Sequence, residues 1–277
     1  MDYKRILTIQ DISCVGQCSL TVALPILSAC GHETAIIPSA VLSTHTMGFT
    51  DFTVRDLSED IPKIAAHWGK EGIDFSAVYT GYLGSTEQID YVIDIMNNLM
   101  TEDGVKIVDP AMADGGKLYP AFDMEYVEAM KRLVAMADIT MPNITEAAFL
   151  TGMDYRETYD ETYINELVAR LHELGAKKVV LTGVSYDAET TGILCSDDTE
   201  TTYYRHELLP HSCHGTGDVC ASAFVGAYMA GKSLYESAKI SGDYTLACIK
   251  NTMDDKDHWY GVKFEPLLGD LAQAVRA

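Results

Sequence analysis

Basic residues are scarce in this sequence. Twenty Lys and Arg stand against 41 Asp and Glu, a formal net charge of -21 over 277 residues. Such a surface repels nucleic acid and anionic membranes, which excludes nonspecific adhesion to either. An anionic substrate must then be held locally, by backbone amides, a few basic side chains or a metal ion. Missing too is any apolar run near the roughly 20 residues that a membrane span requires. The opening Met1-Asp2-Tyr3-Lys4-Arg5 leads straight into Ile6-Leu7-Thr8-Ile9, too short and wrongly flanked for a signal peptide. The seven cysteines (Cys14, Cys18, Cys30, Cys195, Cys213, Cys220 and Cys248) are odd in number and lack paired C-x-x-C spacing, which argues against a disulfide framework and a zinc ribbon. A reducing, cytoplasmic setting is the expectation. No repeat, low-complexity tract or linker-like break divides the chain, so one domain spanning 1–277 is expected. A hydrophobic share of 47% with 22% charged residues is that of a folded globular protein with a sizeable core.

Short β-type runs alternate with stretches of helical spacing. Arg5 to Ile9, Thr34 to Pro38, Ala77 to Thr80, Val105 to Val108, Ile139 to Met141 and Val179 to Thr182 read as strands, several of them continuously apolar, as in parallel strands covered on both faces. Leu20 to Ala29, Thr86 to Met100, Met124 to Met136 and Tyr163 to Leu174 carry apolar residues at helical spacing. Thr190 to Cys195 and Thr201 to His206 flank a polar turn and predict an antiparallel hairpin; Leu234 to Asn251 and Pro266 to Arg276 predict the last helices. The fold class expected is α/β: a doubly wound three-layer sandwich with a mostly parallel central sheet and an antiparallel hairpin at one edge. Ligands of such sheets sit beyond the carboxyl ends of the strands, so residues following each strand are the site candidates.

One stretch stands out: His214-Gly215-Thr216-Gly217-Asp218, followed by small and apolar residues up to Gly231. It reads as a glycine-rich turn opening a buried helix, whose free amides and dipole favour an anion. Asp218 has two readings, a helix cap or a base that takes a proton from a hydroxyl attacking phosphorus. The other strand ends supply Asp11 and Ser13, the polar run Ser43 to Gly48, Tyr82 between glycines, Asp109 and Asp114 in a flexible segment, and Thr182-Gly183. Asn143 and Glu146 are spaced as a capping box, and they also lie where a magnesium-bound phosphate group can sit. Cys213 is either an inert small residue or a thiol activated by the helix start.

Taken in order, Ile9-Gln10, His45-Thr46, Thr80-Gly81-Tyr82-Leu83-Gly84-Ser85, Val108-Asp109-Pro110, Pro142-Asn143-Ile144-Thr145-Glu146-Ala147, Leu150-Thr151-Gly152 and Gly215-Thr216-Gly217-Asp218 resemble the motifs of pyridoxal kinases of the ribokinase superfamily. The resemblance spans nearly the whole chain. It implies transfer of the ATP γ-phosphate to the 5'-hydroxymethyl group of pyridoxal, pyridoxine or pyridoxamine. Asp218 is then the base, and the amides of Gly215, Thr216 and Gly217 receive the developing charge. Asp109, Asp114 and Glu146 would surround Mg2+, Asn143, Thr182 and Gly183 would serve the nucleotide, and His45, Thr46 and Tyr82 would contact the pyridine. Residues 115–119 would form a mobile cover. The family also implies a homodimer and raises a monovalent cation. Asp11 stands where many such kinases have Ser, and is read as a partner of the pyridinium N–H. Hydroxymethylpyrimidine kinase and a noncatalytic ligand-binding relative are the alternatives. A sugar or nucleoside kinase is disfavoured, because no lid domain is inserted between the first strands.

Overall fold

Continuously apolar strands require helices on both faces, and that cover is what the chain builds. The computed structural model of the protein describes residues 3–210 and 213–277; Met1 and Asp2, which open the stretch weighed above as a signal peptide, lie outside the described residues. In chain order the elements are β1 (Arg5–Ser13), α1 (Leu20–Ala29), β2 (Glu33–Leu42), β3 (Val54–Asp56), α2 (Ile61–Glu71), β4 (Phe75–Thr80), α3 (Thr86–Asn98) and β5 (Met100–Val108). There follow β6 (Ala113–Asp114), β7 (Lys117–Leu118), α4 (Met124–Val134), β8 (Ile139–Thr140), α5 (Ile144–Thr151), α6 (Glu161–Leu174), β9 (Lys178–Val184), β10 (Thr190–Ser196) and β11 (Thr201–Glu207). The chain closes with α7 (Thr216–Met229), α8 (Leu234–Thr252), a 3-10 turn (Glu265–Leu267) and α9 (Leu268–Arg276).

Nine strands form the main sheet in the order β11-β10-β9-β8-β5-β4-β1-β2-β3. The pairs from β2 through β9 are parallel, while β9–β10, β10–β11 and β2–β3 are antiparallel. The doubly wound sandwich with its edge hairpin is thus what forms. One core layer packs α2 to α6 on one face, with Leu7, Ile9, Val78, Val108 and Leu181 supplied by the sheet. The other packs α1, α7, α8 and α9 on the opposite face. Each Leu, Ile or Phe so buried contributes about 1.5–3 kcal/mol.

Several boundaries differ from the expectation, each for a local reason. The predicted helix Thr86–Met100 ends at Asn98, because Met100 pairs with Phe75 and opens a β5 longer than Val105–Val108. The predicted Pro266–Arg276 helix divides into a 3-10 turn and α9. Pro lacks the N–H that a continuous helix would need and is tolerated only in a first turn. β3, α2 and the small β6–β7 hairpin were not anticipated: β3 has three residues, all exposed, and β6 and β7 have two each. Pairs that short carry no periodicity.

Helix α7 positions the glycine turn. Nine of its residues, Val219, Ala221 to Ala227 and Met229, are buried, so it is apolar on nearly every side and runs through the second layer rather than over it. A Cβ on Gly226 would come within 2.4 Å of the Cys30 sulfur, so the glycine permits the close crossing of α1 and α7. His32 bridges the same crossing, its Nε2 lying 2.9 Å from the Gly226 carbonyl.

Candidate active site

Three successive residues of the β1–α1 loop press against the start of α7. Gly215 is the N-cap with φ of 76°, and a Cβ there would meet the Gln17 carbonyl at 1.8 Å and the Cys18 sulfur at 3.4 Å. Only glycine fits that turn. The next residue, Ser19, turns its backbone amide toward the Asp218 carboxylate. Gly215 has no side chain with which to cap α7, and Asp218 lies in the first turn of the helix rather than at the cap position. Burial, opposed by the Ser19 amide and reinforced by the charge of Asp11, pushes Asp218 up to about 7. A carboxylate poised there exchanges protons readily at neutral pH.

Asp11 faces Asp218 from the end of β1. It is 5% exposed and accepts a 3.1 Å hydrogen bond from the Ser13 hydroxyl. Burial raises it from the ordinary carboxylate value, against the hydroxyls of Ser19 and Ser13. Tyr82 is likewise raised, by burial and then by Asp11. Asp11, His45 and Tyr82 thus lie near one another, Asp11 between the other two in its influence. His45, however, has both ring nitrogens engaged. Nδ1 accepts from the Met47 amide at 3.2 Å, so Nε2 carries the proton and donates to the Tyr260 carbonyl at 2.7 Å. What His45 can offer a ligand is its ring, which lies 5.0 Å from Phe49 and 5.5 Å from His214. Thr46 sits on the exposed loop that follows.

Beyond β5 lie Asp109, Asp114 and Glu146, although among the described residues no three acids, histidines or cysteines come together closely enough to hold a metal ion by themselves. Asp109 is raised well above the carboxylate range by burial, by Glu146 and by Asp218. Glu146 is raised by burial and by Asp114, while the amides of Asn143, Met112 and Ala113 pull the other way. Both its oxygens are occupied: Oε1 accepts from Met112 N at 3.1 Å and Oε2 from Asn143 N at 2.8 Å. The Asn143 Oδ1 in turn accepts from Glu146 N at 2.9 Å, which completes the capping box, and its Nδ2 donates to the Ala113 carbonyl at 2.9 Å. The helix cap thereby also anchors the β6–β7 hairpin. That hairpin turns at Gly115 and Gly116, with φ of 55° and 77°, and is tied down by Gly116 N donating to the Thr145 hydroxyl at 3.1 Å. It is the segment expected as a cover, and Tyr119 at its end faces Glu146, Asp114, Asp109 and Asp218.

On the other side of the hairpin lies a cavity of about 530 Å³ whose lining includes Asp114, Asn143, Thr182 and Gly183. These are the nucleotide-side candidates together with one of the metal-side acids. Its charged lining, Asp114, Glu157 and Asp187, is entirely acidic.

With this geometry in place, comparison with known proteins is informative. The family profile of phosphomethylpyrimidine kinase matches residues 25–262. The chain belongs to that family. It is a kinase, a phosphotransferase with an alcohol acceptor. The pyridoxal kinase of Arabidopsis thaliana is 27% identical over 268 residues, covering 92% of this chain and 84% of the plant protein. The pyridoxal kinase structure from Lactobacillus plantarum has a TM-score of 0.89 at 33% identity, covering 99% of this chain and 97% of that one. A Bacteroides thetaiotaomicron protein provisionally named a phosphomethylpyrimidine kinase, crystallised with pyridoxal, has a TM-score of 0.91 at 33% identity over 98% and 96% of the two chains.

Some residues of this kinase's site gave no sequence signal. Tyr155, Tyr159 and Tyr186 line the cavity, yet lie in a stretch of ordinary polar composition and in the turn after β9. Phe49, Trp259 and Tyr260 come from segments some two hundred positions apart; Phe49 packs 4.7 Å from Trp259. Only the fold reveals such pairs. Burial raises the Cys213 thiol, which favours the inert reading over an activated thiol.

Proposed function

We propose that this kinase phosphorylates the 5'-hydroxymethyl group of pyridoxal, pyridoxine or pyridoxamine at the expense of ATP. The observation that carries the reading is the meeting of Asp218 with Asp11 and Tyr82, a proton acceptor at a glycine turn beside an acid and an aromatic wall suited to a pyridine. The substrate hydroxyl gives its proton to the Asp218 carboxylate as its oxygen attacks the γ-phosphorus, and the bond from that phosphorus to the β-phosphate oxygen breaks to release ADP. The amides of Gly215, Thr216 and Gly217 receive the charge that spreads over the transferred phosphoryl oxygens. Asp11 pairs with the ring nitrogen, while His45, Thr46 and Tyr82 bound the ring. Asn143, Thr182 and Gly183 line the nucleotide side. A nucleotide is strongly anionic and this cavity carries only acids, so the donor set fits a hard cation bound through oxygen. Asp109 would hold Mg2+ with Asp114, and Glu146, whose oxygens are already occupied, would act through water. Bound there, Mg2+ would neutralise phosphate charge.

A relative named hydroxymethylpyrimidine/phosphomethylpyrimidine kinase, 26% identical over 271 residues, keeps a second substrate in view, hydroxymethylpyrimidine. Asp11 favours it in one respect: a buried carboxyl at the ring edge can pair with an aminopyrimidine as well as with a pyridinium. An ADP-release assay with Mg-ATP against pyridoxal, pyridoxine, pyridoxamine, hydroxymethylpyrimidine and ribose decides. Turnover highest with a pyridine is expected. Turnover with hydroxymethylpyrimidine alone would transfer the assignment to the second reading, and activity confined to ribose would end both.

A further inference from the structure

The sheet stops holding its own backbone just before Tyr82. The last pair of β1 and β4 is Ile9 with Thr80, and the Gly81 amide still donates to the Ile9 carbonyl at 3.2 Å. Two residues beyond that pair, on neighbouring strands, stand Asp11 and Tyr82. From Tyr82 onward side chains replace the ladder. The Tyr82 carbonyl accepts from the Ser39 hydroxyl at 3.3 Å, the Leu83 carbonyl accepts from the Tyr126 hydroxyl at 2.7 Å, and the Gly84 amide donates to Gln88 Oε1 at 2.7 Å. These three side chains come from β2, α4 and α3, and each is buried.

Tyr126 differs from the other two, because it reaches Tyr82 by a second route. Its ring stacks on Phe122 with centroids 3.8 Å apart and planes 15° from parallel, and Phe122 in turn packs 5.3 Å from the Tyr82 ring. At its main chain Tyr126 is fixed as well, its amide donating to the carboxylate of the helix cap Asp123 at 3.1 Å. We propose that Tyr126 is a positioning residue that sets the Tyr82 ring against the vitamer, its hydroxyl holding the main chain beside Tyr82 and its ring backing the Tyr82 side chain through Phe122. The proposal rests on the reading of Tyr82 as the wall of the pyridine site. A wall acts only at contact distance, since a gap of about 0.5–1 Å forfeits a quarter to a half of the attraction. Small displacements of Tyr82 therefore weaken the vitamer and spare the nucleotide.

The test measures pyridoxine binding to the full-length protein by equilibrium dialysis without nucleotide, for Tyr126→Phe, Tyr82→Leu and the two combined. Tyr126→Phe removes one hydroxyl and keeps the stack. It is expected to weaken pyridoxine about two- to tenfold, the range for one hydrogen bond, with ATP KM unchanged. Tyr82→Leu is expected to weaken it at least as much. Combining the two should add nothing to Tyr82→Leu, because Tyr126 acts through Tyr82. Phe122→Leu keeps the hydroxyl and loses the stack; it should show the same split between vitamer and ATP, and it carries the test if Tyr126→Phe folds poorly. Losses that add in the combined variant would overturn the proposal, as would wild-type affinity in Tyr126→Phe and Phe122→Leu beside a weakened Tyr82→Leu. Wild-type affinity in Tyr82→Leu would instead remove Tyr82 from the pyridine site, and the role of Tyr126 with it.

Discussion

Helices α5 and α7 both begin at the carboxyl side of the sheet with an acid three residues past the N-cap, Glu146 after Asn143 and Asp218 after Gly215. At α5 the acid is consumed. The Glu146 carboxylate accepts from the Asn143 and Met112 amides and Asn143 Oδ1 accepts from the Glu146 amide, so cap, helix and the β6–β7 hairpin are one closed set. At α7 the cap is a glycine with no side chain, and the acid looks away from its own helix toward Ser19 and Asp11. Equal position in a helix does not mean equal use. What separates the two is whether the amides of the first turn find a partner within the protein. Those of α5 do, through side chains; at α7 none is supplied among the described residues, which leaves them for a ligand.

The sharpest way to break this comparison is to remove each acid. Asp218→Ala is expected to lower kcat by about 10²–10⁴ while thermal stability does not fall, the range for loss of a positioned base. ATP KM should change little. Glu146→Ala leaves two buried amides without an acceptor and is expected to cost about 2–3 kcal/mol, seen as a lowered Tm. Were the outcomes exchanged, with Asp218→Ala unfolding the protein and Glu146→Ala merely slowing it, the division between structural and chemical acid would be wrong.

A further effect follows from protonation. Asp218 is raised from an ordinary 3.8 to about 7, so between those values the folded protein binds a proton that the unfolded chain has released. Folding is then penalised increasingly as pH rises through that window, and fully above about 7. Asp218→Asn, which cannot ionise, is expected to be more stable than wild type by up to about 4 kcal/mol at pH 8. The gain should vanish near pH 4. In the wild type, kcat/KM should climb through the same pH range and level off above it, because the base must be ionised. Melting curves across pH that ran parallel for the two proteins would contradict the raised value.

The strand ends were readable in the sequence because their chemistry is local. Asp109 before Pro110, Asn143 three positions before Glu146, and the glycines around Thr216 each carry their reason within a few residues. The sandwich was readable too, from apolar runs such as Val179–Thr182 that only a doubly covered sheet explains. What escaped depends on partners distant in the chain. Nothing near Ser19 predicts a positive φ, which is imposed by Ile12 on one side and α7 on the other. The engagement of both His45 nitrogens requires Tyr260, more than two hundred positions away. The double duty of Asn143, cap and hairpin anchor, became visible only when Ala113 was placed beside it.

The subtlest probe of the α7 turn is Gly217. It lies in the first turn of the helix, exposed, and a Cβ there meets nothing within 4 Å. On folding grounds alone Gly217→Ala should stabilise the protein by about 0.5–1 kcal/mol, since alanine restricts the unfolded chain and favours the helix. Gly215 offers no such choice, its φ and the Gln17 carbonyl forbidding a side chain. If the amides of this turn receive the transferred phosphoryl group, however, the added methyl stands beside the ligand where the protein itself has left space. Gly217→Ala is then expected to raise Tm and lower kcat together, by a few-fold at most. The pairing of the two changes is the informative result: a more stable variant of unaltered kcat would mean that the phosphoryl group does not approach this side of the turn, and that the open space above α7 serves the helix rather than the reaction.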